Sequence, residues 1–189
     1  GGSPEALEIL EDQTFPSIDE MTHDWYFWRS NHGEFAPHNT YTSSDLWNSA
    51  WKNYGEVGDT SFASWNFAPT STCETACVNE IRVDYLPPWF SVSWQFASST
   101  GAYARYQAGA PHVDQNGSHL YADTIIIQRT KIRTIDDVGR KKILTDTGGE
   151  ALFVAQGKSI TGRWKKQDGR TIWLDDAGEE FSLNPGTIW

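Results

Sequence analysis

The sequence predicts an α+β protein in which a mixed α/β N-terminal region packs on an antiparallel, β-rich C-terminal domain. Three observations carry this. Helical apolar spacing is confined to the first part of the chain, the apolar period falls to two from about Glu80 onward, and turn dipeptides then punctuate the sequence.

Taken in order, Ser3-Pro4-Glu5-Ala6-Leu7-Glu8-Ile9-Leu10 sets an N-cap serine before a proline at the first helical position, with acidic residues in the first turn. Free amides and the helix dipole favour that arrangement, so a short helix is expected. Ser43 or Ser44 caps a second helix, in which Leu46, Trp47, Ala50, Trp51 and Tyr54 follow helical spacing and Gly55 stands ready to end it. Between the two, Trp25-Tyr26-Phe27-Trp28 reads as a strand or a buried aromatic plug.

Further on, Ile81, Val83 and Tyr85 alternate with Arg82 and Asp84. After Pro87-Pro88, the residues Phe90, Val92, Trp94 and Phe96 alternate with Ser91, Ser93 and Gln95. Each pattern is that of a half-buried strand. More strands are expected over 102–107, 124–130, 151–155, 158–166 and 170–174, with turns at Asp168-Gly169 and Ala177-Gly178. Asn184-Pro185-Gly186 is a tight turn that carries Trp189 into a final strand. The boundary between the regions falls within 67–86 and is set between 78 and 79, giving segments 1–78 and 79–189.

A length of 189 residues, 38% hydrophobic and 14% aromatic, suits one large or two small domains that fold without metal staples. The ten tryptophans read first as sheet-core fillers, Trp94 and Trp164 foremost. A formal charge of −10 argues against the basic face that neutralises phosphates, and the clusters Arg163, Lys165, Lys166 and Arg140, Lys141, Lys142 read as solvated strand or turn faces, so no nucleic-acid partner is expected. The same charge is repelled by an anionic membrane surface, which leaves a separate anchor as the route to any membrane. No apolar run approaches the roughly 18 residues of a spanning helix.

Cys73-Glu74-Thr75-Ala76-Cys77 places two thiols four residues apart in a polar stretch. A small structural disulfide is the favoured reading, with free thiols as the alternative. No second cysteine pair is present to complete a zinc site, and thioredoxin-type redox pairs have two intervening residues, not three. No cofactor is expected.

Several short motifs follow one another along the chain: Gly109-Ala110-Pro111-His112-Val113-Asp114, Asp123 to Gln128, Ile135-Asp136-Asp137-Val138-Gly139-Arg140, Gly162-Arg163-Trp164-Lys165-Lys166, and Leu183-Asn184-Pro185-Gly186-Thr187-Ile188-Trp189. With them the chain resembles the YerB-like bacterial lipoprotein family, which is known mainly through a domain of unknown function, DUF3048. Gly1 to Leu7 and Ala36-Pro37-His38-Asn39-Thr40-Tyr41 resemble motifs of that family's N-terminal domain; 56–88 resembles nothing in it. The resemblance implies that 1–78 is the latter part of the N-terminal α/β domain, that the missing segment of that domain is a partner of this chain, and that a sheet edge is left unpaired. It also implies an extracytoplasmic place in the cell envelope, on a lipid anchor upstream of this chain.

Two histidines follow prolines: His38, before Asn39 and Tyr41, and His112, two residues from Asp114. Proline stiffens the backbone around both. If the two loops converge, His112 and Asp114 could act as a base and its orienter, His38 as an acid or oxyanion donor, and Asn39 and Tyr41 as ligand-binding groups. The competing reading makes both histidines structural clamps at a domain interface. A zinc site from His38, His112 and Asp114 is a weaker third, and the assigned set includes no metal. His23, His32 and His119 read as exposed loop residues, Asp136-Asp137 as a turn, and Asn116-Gly117-Ser118 as the turn after Asp114.

The function expected is thus a binding module for an envelope ligand or protein partner at a junction formed by His38, Asn39, Tyr41, His112 and Asp114. The alternative is a hydrolase of a cell-wall polymer using His38, His112 and Asp114. Whether the chain is an enzyme stays open at the level of sequence.

Overall fold

The computed structural model describes residues 8–10, 17–31, 33, 35–54, 63–85 and 88–189. The chain is α+β and β-rich, and divides into two compact units, 1–62 and 63–189. Of the first expected helix, Glu8, Ile9 and Leu10 are helical, while Ser3 to Leu7 lie outside the described residues, as does Gly55.

In the first unit a 3-10 turn, Asp24–Tyr26, leads into strand β1 (Trp28–Arg29), which pairs antiparallel with β2 (Thr40–Tyr41). Helix α1 (Ser44–Tyr54) follows. Ser43 is its cap: the Ser43 Oγ accepts from the Leu46 amide at 3.3 Å and its carbonyl from Trp47 at 2.9 Å. Asp45 in the first turn and Lys52 in the last complement the helix dipole. Tyr26 is the buried plug of this unit; its hydroxyl accepts from Asn53 Nδ2 at 2.7 Å and its carbonyl from Thr42 Oγ1 at 2.8 Å. The buried side of α1 is a seam through Leu46 and Ala50, and Trp47, Trp51 and Tyr54 stay exposed.

The second unit holds two main antiparallel sheets. Sheet I joins β3 (Glu80–Asp84), β4 (Ser91–Ala97), β5 (Ala102–Gln107) and β6 (Ala110–Pro111), with β7 (Tyr121–Ala122) also paired to β5. Sheet II has the order β13-β12-β11-β8, from β8 (Thr124–Gln128), β11 (Gly149–Ala155), β12 (Lys158–Gln167) and β13 (Arg170–Leu174). A separate ribbon pairs β9 (Ile132–Thr134) with β10 (Lys141–Ile143). Every strand expected from period-two patterning is present within a residue or two, and Asp168 (φ 51°) with Gly169 (φ 76°) makes the two-residue turn between β12 and β13.

Strands β8 and β11 of sheet II are buried on both faces, whereas β12 exposes Thr161, Arg163 and Lys165 on the side that carries Leu152. Ile125, Ile127, Leu152 and Val154 meet Ile81, Val92, Trp94 and Tyr103 of sheet I. Ile126, Ala151, Phe153, Trp164 and Trp173 face the other way and are covered by Trp65, Phe181, Leu183 and Ile188. Such a strand needs apolar residues at consecutive positions, which accounts for the run Ile125-Ile126-Ile127. Gly162 lets the layers close: a Cβ there would lie 2.2 Å from the Leu174 carbonyl oxygen. Trp164 is core as expected, its indole N–H donating to the Arg129 carbonyl at 2.8 Å.

The cover over the second face comes from two distant pieces. Residues 63–78, placed with the first region in the sequence reading, run along the second unit. Ala68 N–H donates to Leu183 O at 3.0 Å, Leu183 N–H to Asn66 O at 2.8 Å, and Thr70 N–H to Asn184 Oδ1 at 2.9 Å. Beyond them Cys73 and Cys77 form the expected disulfide, and Cys73 N–H and Val78 N–H each donate at 2.8 Å to the carbonyls of Gln156 and Gly157 in the β11–β12 turn. The C-terminal piece runs parallel beside β8 and forms a bridge with it: Trp189 N–H donates to Thr124 O at 2.9 Å and Ile126 N–H to Trp189 O at 2.7 Å.

The expectation that tryptophans fill sheet cores holds for Trp94, Trp164 and Trp173, whereas Trp25, Trp28, Trp47, Trp51, Trp89 and Trp189 are exposed. Aromatic content alone does not tell a core ring from a surface one, because the amphipathic indole tolerates both.

Two stability effects follow from this packing. Replacing both Cys73 and Cys77 with serine frees a short loop, and the chain-entropy argument gives a loss of about 2 kcal/mol in urea unfolding, reproduced in the native chain by reductant. Tyr103 is fully buried and donates to Val78 O at 2.9 Å; burial pushes its phenol from near 10 up to about 12. A raised folded-state value contributes stability that is complete below the unfolded value and is lost as pH rises through the interval from 10 to about 12. Tyr103→Phe should therefore be weaker than native by about 1 kcal/mol at neutral pH. Above pH 10 the gap should close by at most about 1.4 kcal/mol per pH unit, since the variant lacks the titration. A gap that stays constant to high pH would show that the phenol titrates normally.

Candidate functional site

On β5, Tyr103, Arg105 and Gln107 share the face that also carries Phe96, Trp94 and Val92 across the ladder to β4. This is the inner face of sheet I, so Arg105 stands at a position where the pattern calls for an apolar residue. It is 9% exposed. Trp94 is its cross-strand partner on one side, and on the other the chain continues past β6 so that His112 N–H donates to the Arg105 carbonyl at 2.9 Å. The side chains of Trp94, Arg105 and His112 thus stand in a row across the inner face.

The guanidinium carbon lies 5.6 Å from the Trp94 ring centroid and 4.7 Å from that of Trp189, and the two indoles meet edge to face at 5.3 Å. Arg105 Nη1 donates to Gln107 Oε1 at 3.2 Å and to His112 Nδ1. A guanidinium only donates, so that contact leaves the lone pair on Nδ1, the ring proton on Nε2, and the imidazole neutral. Arg105 Nε is buried without a hydrogen-bond partner, and Arg105 forms no ion pair among the described residues. Burial holds its pKa below the usual arginine value.

Trp189 reaches this position through the C-terminal motif. Asn184 is buried; its Oδ1 accepts from Thr70, and its carbonyl accepts from Thr124 Oγ1 at 3.1 Å. Asp123 Oδ2 then accepts from the Thr187 amide at 2.8 Å, across Gly186, where any Cβ would meet that same carboxylate at 2.2 Å. The two motifs that frame the second unit, 109–114 and 183–189, therefore come together at Arg105.

The other expected site residues divide between the units. In the second, Asp114 accepts from the Gln115 amide at 2.7 Å through Oδ1, and its backbone closes an exposed hairpin with Ser118 and Gly117 at 2.8 Å. His112 pairs with Arg105 instead. Asn116 Oδ1 accepts from Ser118 N–H, making the turn expected there. In the first unit His38 is exposed, after a cis Ala36–Pro37 bond. Asn39 ties its hairpin together, accepting from Arg29 Nη1 and donating to Ser30 O, each at 3.0 Å. Tyr41 stacks on Trp28 at 6.1 Å.

His119, expected to be exposed, is half-buried between Tyr106 and Tyr121, and its Nε2 donates to the Arg105 carbonyl at 2.7 Å. His23 is likewise half-buried, with its ring edge-on to Trp25 and Tyr54; His32 lies outside the described residues. Asp136 closes the turn expected of it, and bonds from the Arg140 backbone and side chain hold its carboxyl below the usual range. Among the described residues no group of His, Cys, Asp and Glu gathers to hold a metal.

Arg105 itself was absent from the sequence-derived set. The available signal was a charge on the inward phase of β5, in register with Tyr103, but the phase of Ala102-Tyr103-Ala104-Arg105-Tyr106 is ambiguous because alanine fits either face.

Compared with known proteins, the chain is 27% identical over 198 aligned residues to the putative lipoprotein YerB of Bacillus subtilis (strain 168), an alignment spanning all of this chain and 58% of that protein. The crystal structure of YerB from Bacillus subtilis superposes with a TM-score of 0.85 at 26% identity, covering 99% of this chain and 63% of the other. The chain thus spans less than two thirds of the length of these relatives. Residues 81–189, which include sheet I, sheet II and the Arg105 cluster, match the C-terminal domain of the DUF3048 proteins of unknown function, and the chain belongs to that family.

Proposed function

We propose that this chain is a ligand-binding part of an envelope lipoprotein, placed outside the cytoplasm on a lipid anchor, and that Arg105, His112 and Trp189 form its binding site. The relative's name, putative lipoprotein, supports the location. One observation supports the function: a guanidinium is buried in the core of a sheet with no carboxylate among the described residues to balance it. A buried unpaired charge opposes folding by several kcal/mol in effective terms, and groups of that kind concentrate where a ligand completes the pairing. The ligand or protein partner belongs to the envelope in this reading.

The hydrolase reading, with His112 as base and Asp114 as orienter, has less support. Asp114 is engaged in its own turn and His112 Nδ1 faces Arg105, so no carboxylate among the described residues orients the imidazole.

Replacement of Arg105 by methionine separates a binding role from a structural one. Methionine has similar volume and no charge, and if the guanidinium is held in place for a ligand, Arg105→Met should gain about 1 kcal/mol in urea unfolding despite the lost cation–π contacts. A loss of 2 kcal/mol or more, the typical effect of breaking a satisfied network, would make Arg105 a structural clamp and sink the binding reading.

A further inference from the structure

The ligand class can be taken one step further, on the premise that the Arg105 cluster is the binding site. A guanidinium has two edges that can grip a planar anion. One runs through both terminal nitrogens and the other through Nε and Nη2. The hydrogen bonds of Arg105 to Gln107 and His112 both leave from Nη1, which spoils the first edge, while Nε on the second has no partner. The Trp94 and Trp189 rings, 5.6 and 4.7 Å from the guanidinium carbon and 5.3 Å from each other, lie to the same side of the group and do not sandwich it.

Charge and surroundings narrow the class. The cluster supplies one positive charge, since His112 accepts through Nδ1 and is neutral in this arrangement, and a single guanidinium balances a monoanion better than a phosphate dianion. The neighbouring surfaces are two indoles and an imidazole, which favour an apolar or aromatic body behind the charge. Trp189, 45% exposed, and His112, half-buried, are the members of the cluster that reach the surface, and backbone hydrogen bonds join each to the sheet.

We infer that the Nε–Nη2 edge of Arg105 receives the carboxylate of a monoanionic ligand with an apolar body.

Benzoate, benzamide and phenyl phosphate, titrated into the full chain, test this by 1H–15N spectra of the arginine Nε–H and tryptophan indole signals. Benzoate is expected to shift the Arg105 Nε–H and Trp189 indole signals saturably, and benzamide to leave them in place. Arg105→Gln should weaken benzoate at least tenfold; should that variant fail to fold by circular dichroism, Arg105→Lys, which keeps the charge and loses the fork, serves in its place with the same expectation. If benzamide shifts the same signals as strongly as benzoate, or if phenyl phosphate binds more tightly, the carboxylate assignment is wrong while the site itself stands as a binding site. If benzoate leaves both signals unmoved the inference is overturned; if Arg105→Met is in addition destabilising, the binding reading falls with it.

Discussion

The constraint on which the second unit depends is that strands β8 and β11 of sheet II have no free face. One side is met by sheet I, and the other must be covered by whatever the chain can bring there. It brings two extended segments, 63–70 and 181–189, and neither can bury its backbone unless its amides and carbonyls find partners. They find them in each other, through Leu183 and Asn66, and along the open edge of β8. That edge would otherwise present an unpaired ladder; the parallel segment ending at Trp189 closes it. Asn184 is central because its side chain receives the Thr70 amide while its own carbonyl receives Thr124 Oγ1, so one residue joins both covering segments to the sheet.

The same closure positions Arg105. Trp189 lies over the guanidinium because Asn184, Gly186 and Thr187 set the path of the last segment, and that path is fixed by Asp123 and Thr124 at the start of β8. Cation–π contacts of this kind contribute about 2 kcal/mol when desolvated, less than the effective penalty of burying the charge. The difference is tolerated in a core that is otherwise well packed on both sides of sheet II. Conversely, the stability of the covering segment does not require the arginine, since its backbone bonds to β8 are independent of what lies beneath the indole.

Much of this was legible in the sequence, for reasons that differ from element to element. The strands from Glu80 onward announce themselves because burial of one face of a strand forces period two, and the Cys73–Cys77 disulfide because five residues suffice to close the ring. The double burial of β8 and β11 was not legible, since Ile125-Ile126-Ile127 gives no phase and the covering segment 63–70 is irregular in sequence. The site was half legible: His112 and Trp189 lie in recognisable motifs, but their meeting point, Arg105, is set by register across β4, β5 and the residues after β6, which spacing along the chain does not encode. Asp114 was favoured by its closeness to His112 in sequence, yet its carboxylate accepts from the Gln115 amide and serves the hairpin.

A chain of net charge −10 is at first sight a poor receptor for an anion. Distance resolves this. Surface carboxylates separated from Arg105 by more than about 8 Å of solution are largely screened at physiological ionic strength, whereas the guanidinium acts at contact through a low-dielectric interior. An acidic surface then slows the approach of anions in general without weakening one that is already gripped. Discrimination falls to shape and desolvation: a highly charged ligand is repelled at range and balanced by one charge at contact, while a monoanion with an apolar body loses little on approach and gains the indole surfaces on arrival. The acidic composition and the buried arginine are therefore compatible, and for the proposed site they imply selectivity for weakly charged ligands over affinity for anions as a class.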